Sequence, residues 1–275
     1  MTDIDWTAMA DLLEREGETN APYVTQALAE LSHLTPKRVL DIGSGPGVAA
    51  CQLAATFPDA DVIAVDGAPG LLDRAEQRAK RLGVTLHTQV AEFPDGLAEL
   101  GPADLVWSSQ VVHHVGDQQD ALNRLTALLN PGGELAITEG GLPIRTFPRD
   151  LGFGRPGLAA RLDAAIADRF NAMRADLPGS VTVAEDWRTL LANAGLTAVR
   201  SKTFLIDHPA PLSTSHRQFI RHSLERQRHM ATEVLDAEDL ATMDRLLDPA
   251  DPASVDQRQD LFFLAARTVH YGRKP

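Results

Sequence analysis

Apolar and polar positions follow two rhythms along the chain. Near the start the spacing is helical: Trp6, Met9, Leu12 and Leu13 form one stripe. Gly17 interrupts it, and Tyr23, Val24, Ala27, Leu28 and Leu31 form a second stripe after Pro22. From residue 39 onward, short apolar runs alternate with longer helical stretches. A strand at 39–42 precedes a helix at 47–57, stopped by Pro58. A strand at 62–66 precedes a helix at 69–82, stopped by Gly83. A strand at 84–90 leads to a connection holding Pro94 and Gly96. A strand at 104–108 precedes a helix at 118–129, which Asn130-Pro131-Gly132-Gly133 ends before a strand at 134–139. Strands alternating with helices of this length predict a parallel sheet covered on both faces.

The alternation then pauses. Residues 142–183 carry Pro143, Pro148, Pro156 and Pro178 around a helical stretch from Leu158 to Met173. It resumes with a helix at 184–194, ended by Gly195, and a strand at 197–206. A second helical block covers 213–247, with Phe219, Leu224, Met230, Leu235, Leu240, Met243 and Leu246 on its apolar positions. An acidic, proline-bearing turn leads to a last apolar run at 261–266. The prediction is an α/β fold: a Rossmann-like, doubly wound, mostly parallel seven-stranded sheet with two helical cap insertions. The expected division is 1–141 for the N-terminal helices and the first half of the sheet, 142–183 for one insertion, 184–212 for the return to the sheet, 213–256 for the second insertion and 257–275 for the last strand. Both insertions leave from the late half of the sheet, so they are expected to roof the crevice at the carboxyl ends of its strands.

Composition narrows the function classes. The formal net charge of −12, from 38 acids against 26 bases, disfavours a nucleic-acid partner. Arg217, Arg221, Arg226 and Arg228 with His216, His222 and His229 are the one basic concentration, read as a solvated or balancing helix face. The single cysteine, Cys51, excludes an intrachain disulfide. No apolar run reaches the roughly 18 residues of a membrane span, and the acidic start, Met1 to Trp6, lacks the basic and apolar regions of a signal peptide. The expectation is a cytoplasmic protein, monomer or homodimer, with no membrane partner. The histidines show no ligand spacing, so no metal site is expected.

The chemistry begins at Val39-Leu40-Asp41-Ile42-Gly43-Ser44-Gly45-Pro46-Gly47. A buried strand ends in an acid and opens into a loop with glycine at alternate positions. Asp66 closes the next strand, and a glycine loop followed by a strand ending in a carboxylate is the logic of a ribose-binding nucleotide site. No Lys-Ser or Lys-Thr follows the loop, and Pro46 removes a backbone donor, so the pattern favours a nucleoside without phosphates. Gly67 leaves room for a base beside Asp66, and Glu92 and Phe93 after the third strand are candidates for the adenine amino group and ring.

On these residues the chain resembles the class I S-adenosylmethionine-dependent methyltransferases of the small-molecule kind. Four segments match in order: Val39 to Gly47, Val62 to Asp66, Ala103 to Ser109 with Val112-His113-His114-Val115, and Leu128 to Leu135 with its Pro-Gly-Gly turn. The resemblance implies S-adenosyl-L-methionine as cofactor, S-adenosyl-L-homocysteine as product and a small-molecule methyl acceptor, including secondary metabolites. It places Gly43, Ser44 and Gly45 at the methionine part, Asp66 at the ribose, Gly67 and Glu92 at the adenine, and the backbone of Ser108 and Ser109 near the α-amino group. Asp41 would orient the glycine loop. Many relatives have Gly-Asp where this chain has Gln89-Val90, which leaves Glu92 as the adenine acid.

Methyl transfer needs an acceptor held in line with the sulfonium, and a general base where the acceptor is a hydroxyl or a protonated amine. His113 and His114, after the fourth strand, are the candidate bases, with one of the two expected to face the pocket. Glu139, at the end of the fifth strand, is a second candidate base or amine anchor. Arg145 and Arg149 are candidates for a substrate carboxylate, and Tyr23 for covering the methionine end. Two other classes fit parts of the pattern: an NAD(P)-dependent oxidoreductase and a catalytically inactive S-adenosylmethionine-binding partner protein.

Overall fold

The computed structural model describes residues 6–275; the acidic residues 1–5 lie outside the described residues. Seven strands form one sheet: β1 (Arg38–Ile42), β2 (Asp61–Asp66), β3 (His87–Val90), β4 (Ala103–Ser109), β5 (Leu129–Arg145), β6 (Thr197–His208) and β7 (Phe263–Arg273). Their order is β3-β2-β1-β4-β5-β7-β6. β1 to β5 are parallel. β7 runs against its neighbours: Lys274 exchanges backbone bonds with Gly132 and Gly133, and Thr197 and Thr203 meet Arg273 and Thr268. The helices are α1 (Ala10–Ala29), α2 (Val48–Thr56), α3 (Pro69–Leu82), α4 (Gln118–Ala127), α5 (Leu158–Asp176), α6 (Trp187–Asn193), α7 (Thr214–Met230) and α8 (Ala237–Leu247).

The chain divides into two compact units: 1–140 with 177–204 and 267–275, and 141–176 with 205–266. In the first, β1 and β2 are apolar nearly throughout because helices cover both of their faces. Leu40, Ile42, Ile63 and Val65 pack with Ala121, Leu122 and Leu125 of α4 and Leu190 and Leu191 of α6. Ala64 packs on the other side with Ala50 of α2 and Leu72 and Ala75 of α3. In the second unit, Leu158 and Leu162 of α5, Ile220 and Leu224 of α7 and Met243 and Leu246 of α8 close a separate core.

Several elements depart from the sequence reading, each for a packing reason. Gly17 and Pro22 lie inside the single helix α1 and do not break it. Gly17 is where that helix rests on α2: a Cβ there would sit 2.7 Å from Val48 Cγ2. The Pro-Gly-Gly segment is a bulge within β5, not a turn before it; Ala103 pairs with Leu129 and Leu105 with Glu134, and Gly132 takes a φ of +82°. The helical block at 213–247 is two helices, with Asp236 capping α8 through the Asp239 N–H. β3 starts only at His87. β7 runs on to Arg273, well past its apolar start, because its later residues pair across both neighbours.

Candidate active site

β1 and β4 are adjacent, and strand order reverses between them. Ligands in such sheets bind beyond the carboxyl ends at that point. The loop after β1 and the turn after β4 both emerge there, with Ile42 in register with Ser108. Gly43, Gly45 and Gly47 take φ of 69°, 53° and 75°. A side chain at Gly43 would meet Val111 Cγ2 at 2.4 Å, and one at Gly47 would meet Ala75 Cβ at 2.5 Å. Only glycine tolerates both the left-handed backbone and these approaches. In front of Gly45 there is open space.

Asp66 is bound from two sides. Its Oδ2 accepts the Gly45 N–H at 2.9 Å and its Oδ1 accepts the Ala68 N–H at 2.9 Å. A carboxylate has about four lone-pair positions, so both oxygens keep capacity for ribose hydroxyls. Asp41, 1 % exposed, lies on the α2 side of β1 with Oδ2 unpartnered among the described residues. Burial, and then the charge of Asp66, pushes its carboxyl up to about 8, against the pull of the Ala50 N–H. The Ser44 hydroxyl is buried without a partner as well. Glu92 lies over Gly67, where a Cβ would be 2.6 Å from its Oε2, and the Phe93 side chain packs against the core. The Ser108 hydroxyl donates to the Ile42 carbonyl at 3.1 Å and ties β4 to β1; the Ser109 hydroxyl is 2.8 Å from the Tyr23 hydroxyl.

Beyond β4, Gln110 adopts a φ of +58°, a conformation costly for a residue with a side chain. It turns the chain so that Val111 covers Gly43 and Val112–His114 form a single 3-10 turn. Glu139, 3 % exposed, stands within β5, which runs on to Arg145 and does not end at 139 as expected, and it grips this turn: Oε1 accepts the Val112 N–H at 2.9 Å and Oε2 lies 2.8 Å from His113 Nδ1. The His113 and His114 rings lie 4.2 Å apart and tilted at 46°, and Trp6 meets His114 edge-on at 5.8 Å. The candidate residues of the sequence reading from Asp41 to Ser109 therefore stand at the carboxyl ends of β1 to β4, with His113 and His114 just beyond, and Glu139 lies on β5 beside the end of β4. Arg145 and Arg149 fall in the other unit, where Asp163 takes up the Arg145 guanidinium at 2.6 Å. Gln110 and Val111 escape the sequence reading, because their roles depend on a backbone angle and a contact that local pattern does not encode.

The residues present fit an adenosine carrying an amino acid. Asp66 and Glu92 are acceptors suited to the ribose and the base, Gly45 opens a cradle, and Asp41 Oδ2 and Ser44 Oγ are polar atoms left for a ligand. Known proteins point the same way. Residues 35–195, more than half of the chain, match the family described as "Methyltransferase domain". A trans-aconitate 2-methyltransferase of Methylobacterium radiotolerans is 34% identical over 161 residues, 58% of this chain and 60% of that one. A trans-aconitate 2-methyltransferase of Methylobacterium nodulans is 33% identical over 198 residues, 69% of this chain and 74% of that one. Among solved structures, a candidate methyltransferase from Bacillus halodurans C-125 shares the fold, with a TM-score of 0.53 at 15% identity, covering 91% of this chain and 98% of that one. The chain belongs to the class I S-adenosylmethionine-dependent methyltransferases.

Proposed function

We propose that this methyltransferase acts on a hydroxyl group of a small organic molecule, with His113 as general base. The observation that carries this reading is the hydrogen-bonded pair of His113 Nδ1 and Glu139 Oε2 at 2.8 Å, at the strand ends beside the glycine loop. S-adenosylmethionine, when bound, supplies an electrophilic methyl group on a sulfonium. Asp66 and Glu92 hold its nucleoside, and the 43–47 loop its amino-acid end. Glu139 is held by the Val112 N–H and accepts Nδ1–H of His113, which leaves the Nε2 lone pair as the basic site. His113 takes the proton of the acceptor hydroxyl, and Glu139 stabilises the imidazolium that results. Such a base contributes about 100-fold or more in rate.

A second reading is favoured by the relatives named as trans-aconitate 2-methyltransferases. A carboxylate acceptor is already ionised and has no need of a base. The two readings separate in one assay with S-adenosylmethionine, a panel of phenols and hydroxy acids, and trans-aconitate, followed by product mass. Methylated hydroxyls that drop at least about 100-fold with His113→Asn support the first reading. Methyl ester from trans-aconitate, at a rate indifferent to His113→Asn, establishes the second and removes the base.

A further inference from the structure

A third histidine lies next to the candidate pair. His270 of β7 is 7 % exposed, and both of its ring nitrogens are occupied. Nδ1 lies 2.7 Å from Ser201 Oγ on β6, and Nε2 lies 3.2 Å from the backbone carbonyl of Glu139 on β5. The ring is 6.2 Å from Trp187 of α6, whereas the next residue, Tyr271, turns the other way and donates to the Ala27 carbonyl of α1. β6, β7, β5 and β4 are consecutive in the sheet. Hydrogen-bonded residues therefore run across it, from Ser201 to His270 to Glu139 and on to His113 in the turn after β4, all within one unit.

The direction of each bond follows from what the atoms can do. A carbonyl only accepts, so Nε2 of His270 carries the proton. Burial, against the pull of Glu139, holds this imidazole below its ordinary range, so the ring is neutral at pH 7 and Nδ1 keeps a lone pair. The Ser201 hydroxyl donates to that lone pair and so keeps the ring in the tautomer that serves Glu139. The Glu139 carbonyl has reason to be held. Gly140 follows it with a φ of 72°, and glycine rotates freely, so the peptide between them turns easily unless it is pinned. Side-chain rotamers follow the backbone angles at their own Cα. The Glu139 carboxylate must be placed to within about 0.5 Å to hold both the Val112 N–H and His113.

We infer that His270, fixed by Ser201, is a positioning residue: it pins the backbone of Glu139 so that the carboxylate keeps His113 as the Nδ1–H tautomer, with the lone pair on Nε2. The tie begins at an exposed hydroxyl on the edge strand β6 and ends at the imidazole beside the glycine loop. The inference rests on the reading of His113 as general base.

The test reads the His113 tautomer from its imidazole nitrogen shifts by NMR, in the full chain with S-adenosylhomocysteine bound and at alkaline pH, where imidazoles are neutral. The His113 signals are those missing from His113→Asn. The variants are His270→Phe, which keeps a ring and loses the donor, and His270→Gln, whose amide keeps a donor near the place of Nε2. His270→Phe should lose the Nδ1–H tautomer as the main form, and the Val112 amide should exchange with deuterium roughly tenfold faster. His270→Gln should retain both. A role confined to joining β7 to β5 would lower the melting temperature of His270→Phe and leave the tautomer alone, which overturns the inference and spares the base. Loss in His270→Gln as well assigns the effect to ring packing and overturns it too. Should His270→Phe fail to fold, Ser201→Ala takes its place, and an unchanged His113 tautomer there overturns the inference. A wild type whose His113 is the Nε2–H tautomer overturns the reading of His113 as base, and this inference with it.

Discussion

The carboxylates of the two units have different company. In the 141–176 and 205–266 unit they are answered by arginine. Asp239 meets Arg155 at 2.8 Å and Arg161 at 2.7 Å, and Asp244, Asp251, Asp256 and Asp260 meet Arg228, Arg245, Arg221 and Arg258. In the other unit, Asp41 and Asp66 toward the carboxyl ends of β1 and β2, and Glu139 on β5 beside the end of β4, meet backbone N–H groups and an imidazole instead. A guanidinium takes both oxygens of a carboxylate and fixes one element to another. A backbone N–H takes one lone pair, sets the orientation and leaves the charge for something else. The acids that build the second unit are occupied in its own cohesion; those at the strand ends are aimed and still available.

The contrast is breakable, and the largest expected effect lies on the arginine side. Asp239 is 1 % exposed, and the Arg161 and Arg155 guanidinia hold its carboxyl below the usual range. Asp239→Ala leaves both arginines facing each other and removes the bonds between α5, α8 and the segment before α5. A loss of about 2–4 kcal/mol in urea unfolding is expected, discounted from the full value for a buried pair because both arginines are partly exposed. Cofactor affinity should not change. If instead stability holds and affinity falls, the division between structural and available acids is wrong.

Next comes Asp66→Ala. It should weaken S-adenosylhomocysteine roughly 10- to 100-fold in calorimetry, since two charge-assisted hydrogen bonds are at stake. The melting temperature should move far less than for Asp239→Ala. The last is a slope and not a step. Because Asp41 titrates near 8 in the folded chain and near 4 when unfolded, the folded state holds a proton that the unfolded state gives up between those values. Stability should therefore fall as pH rises from about 4 to about 8, with Asn at this position flattening that part of the curve. A positively charged ligand favours the ionised form, so binding should release a proton below pH 8, measurable in buffers of differing ionisation enthalpy. Equal proton release by the wild type and Asp41→Asn would assign the release to another group.

How much of this can be read in the chain depends on the range of the interaction. The strand–helix alternation from 39 to 139, the glycine loop and Asp66 are local patterns, and the structure has them in that order, with only the bounds of β3 and β5 displaced. The continuity of α1 through Gly17 is not legible, because Gly17 answers to Val48, which lies far along the chain. Nor is the grip of Glu139 on Val112 and His113, which joins β5 to the turn after β4. The basic cluster on α7 reads as a balancing face, whereas Arg217, Arg221 and Arg228 are pinned to carbonyls and acids of the chain that follows, from 247 to 258 and at Asp244. Adjacent histidines on a regular helix would diverge; the His113 and His114 rings lie in contact instead, tilted to one another, on a 3-10 turn.

The bond from Gly45 to Asp66 has a consequence for how such sequences drift. In the proposed site one residue serves two masters: it would present oxygens to a sugar, and it clasps the glycine loop through the Gly45 N–H. A descendant that had given up its ligand would still use the clasp to hold the loop after β1 against the end of β2. Retention of an aspartate here is therefore weak testimony that a chain still binds a nucleoside.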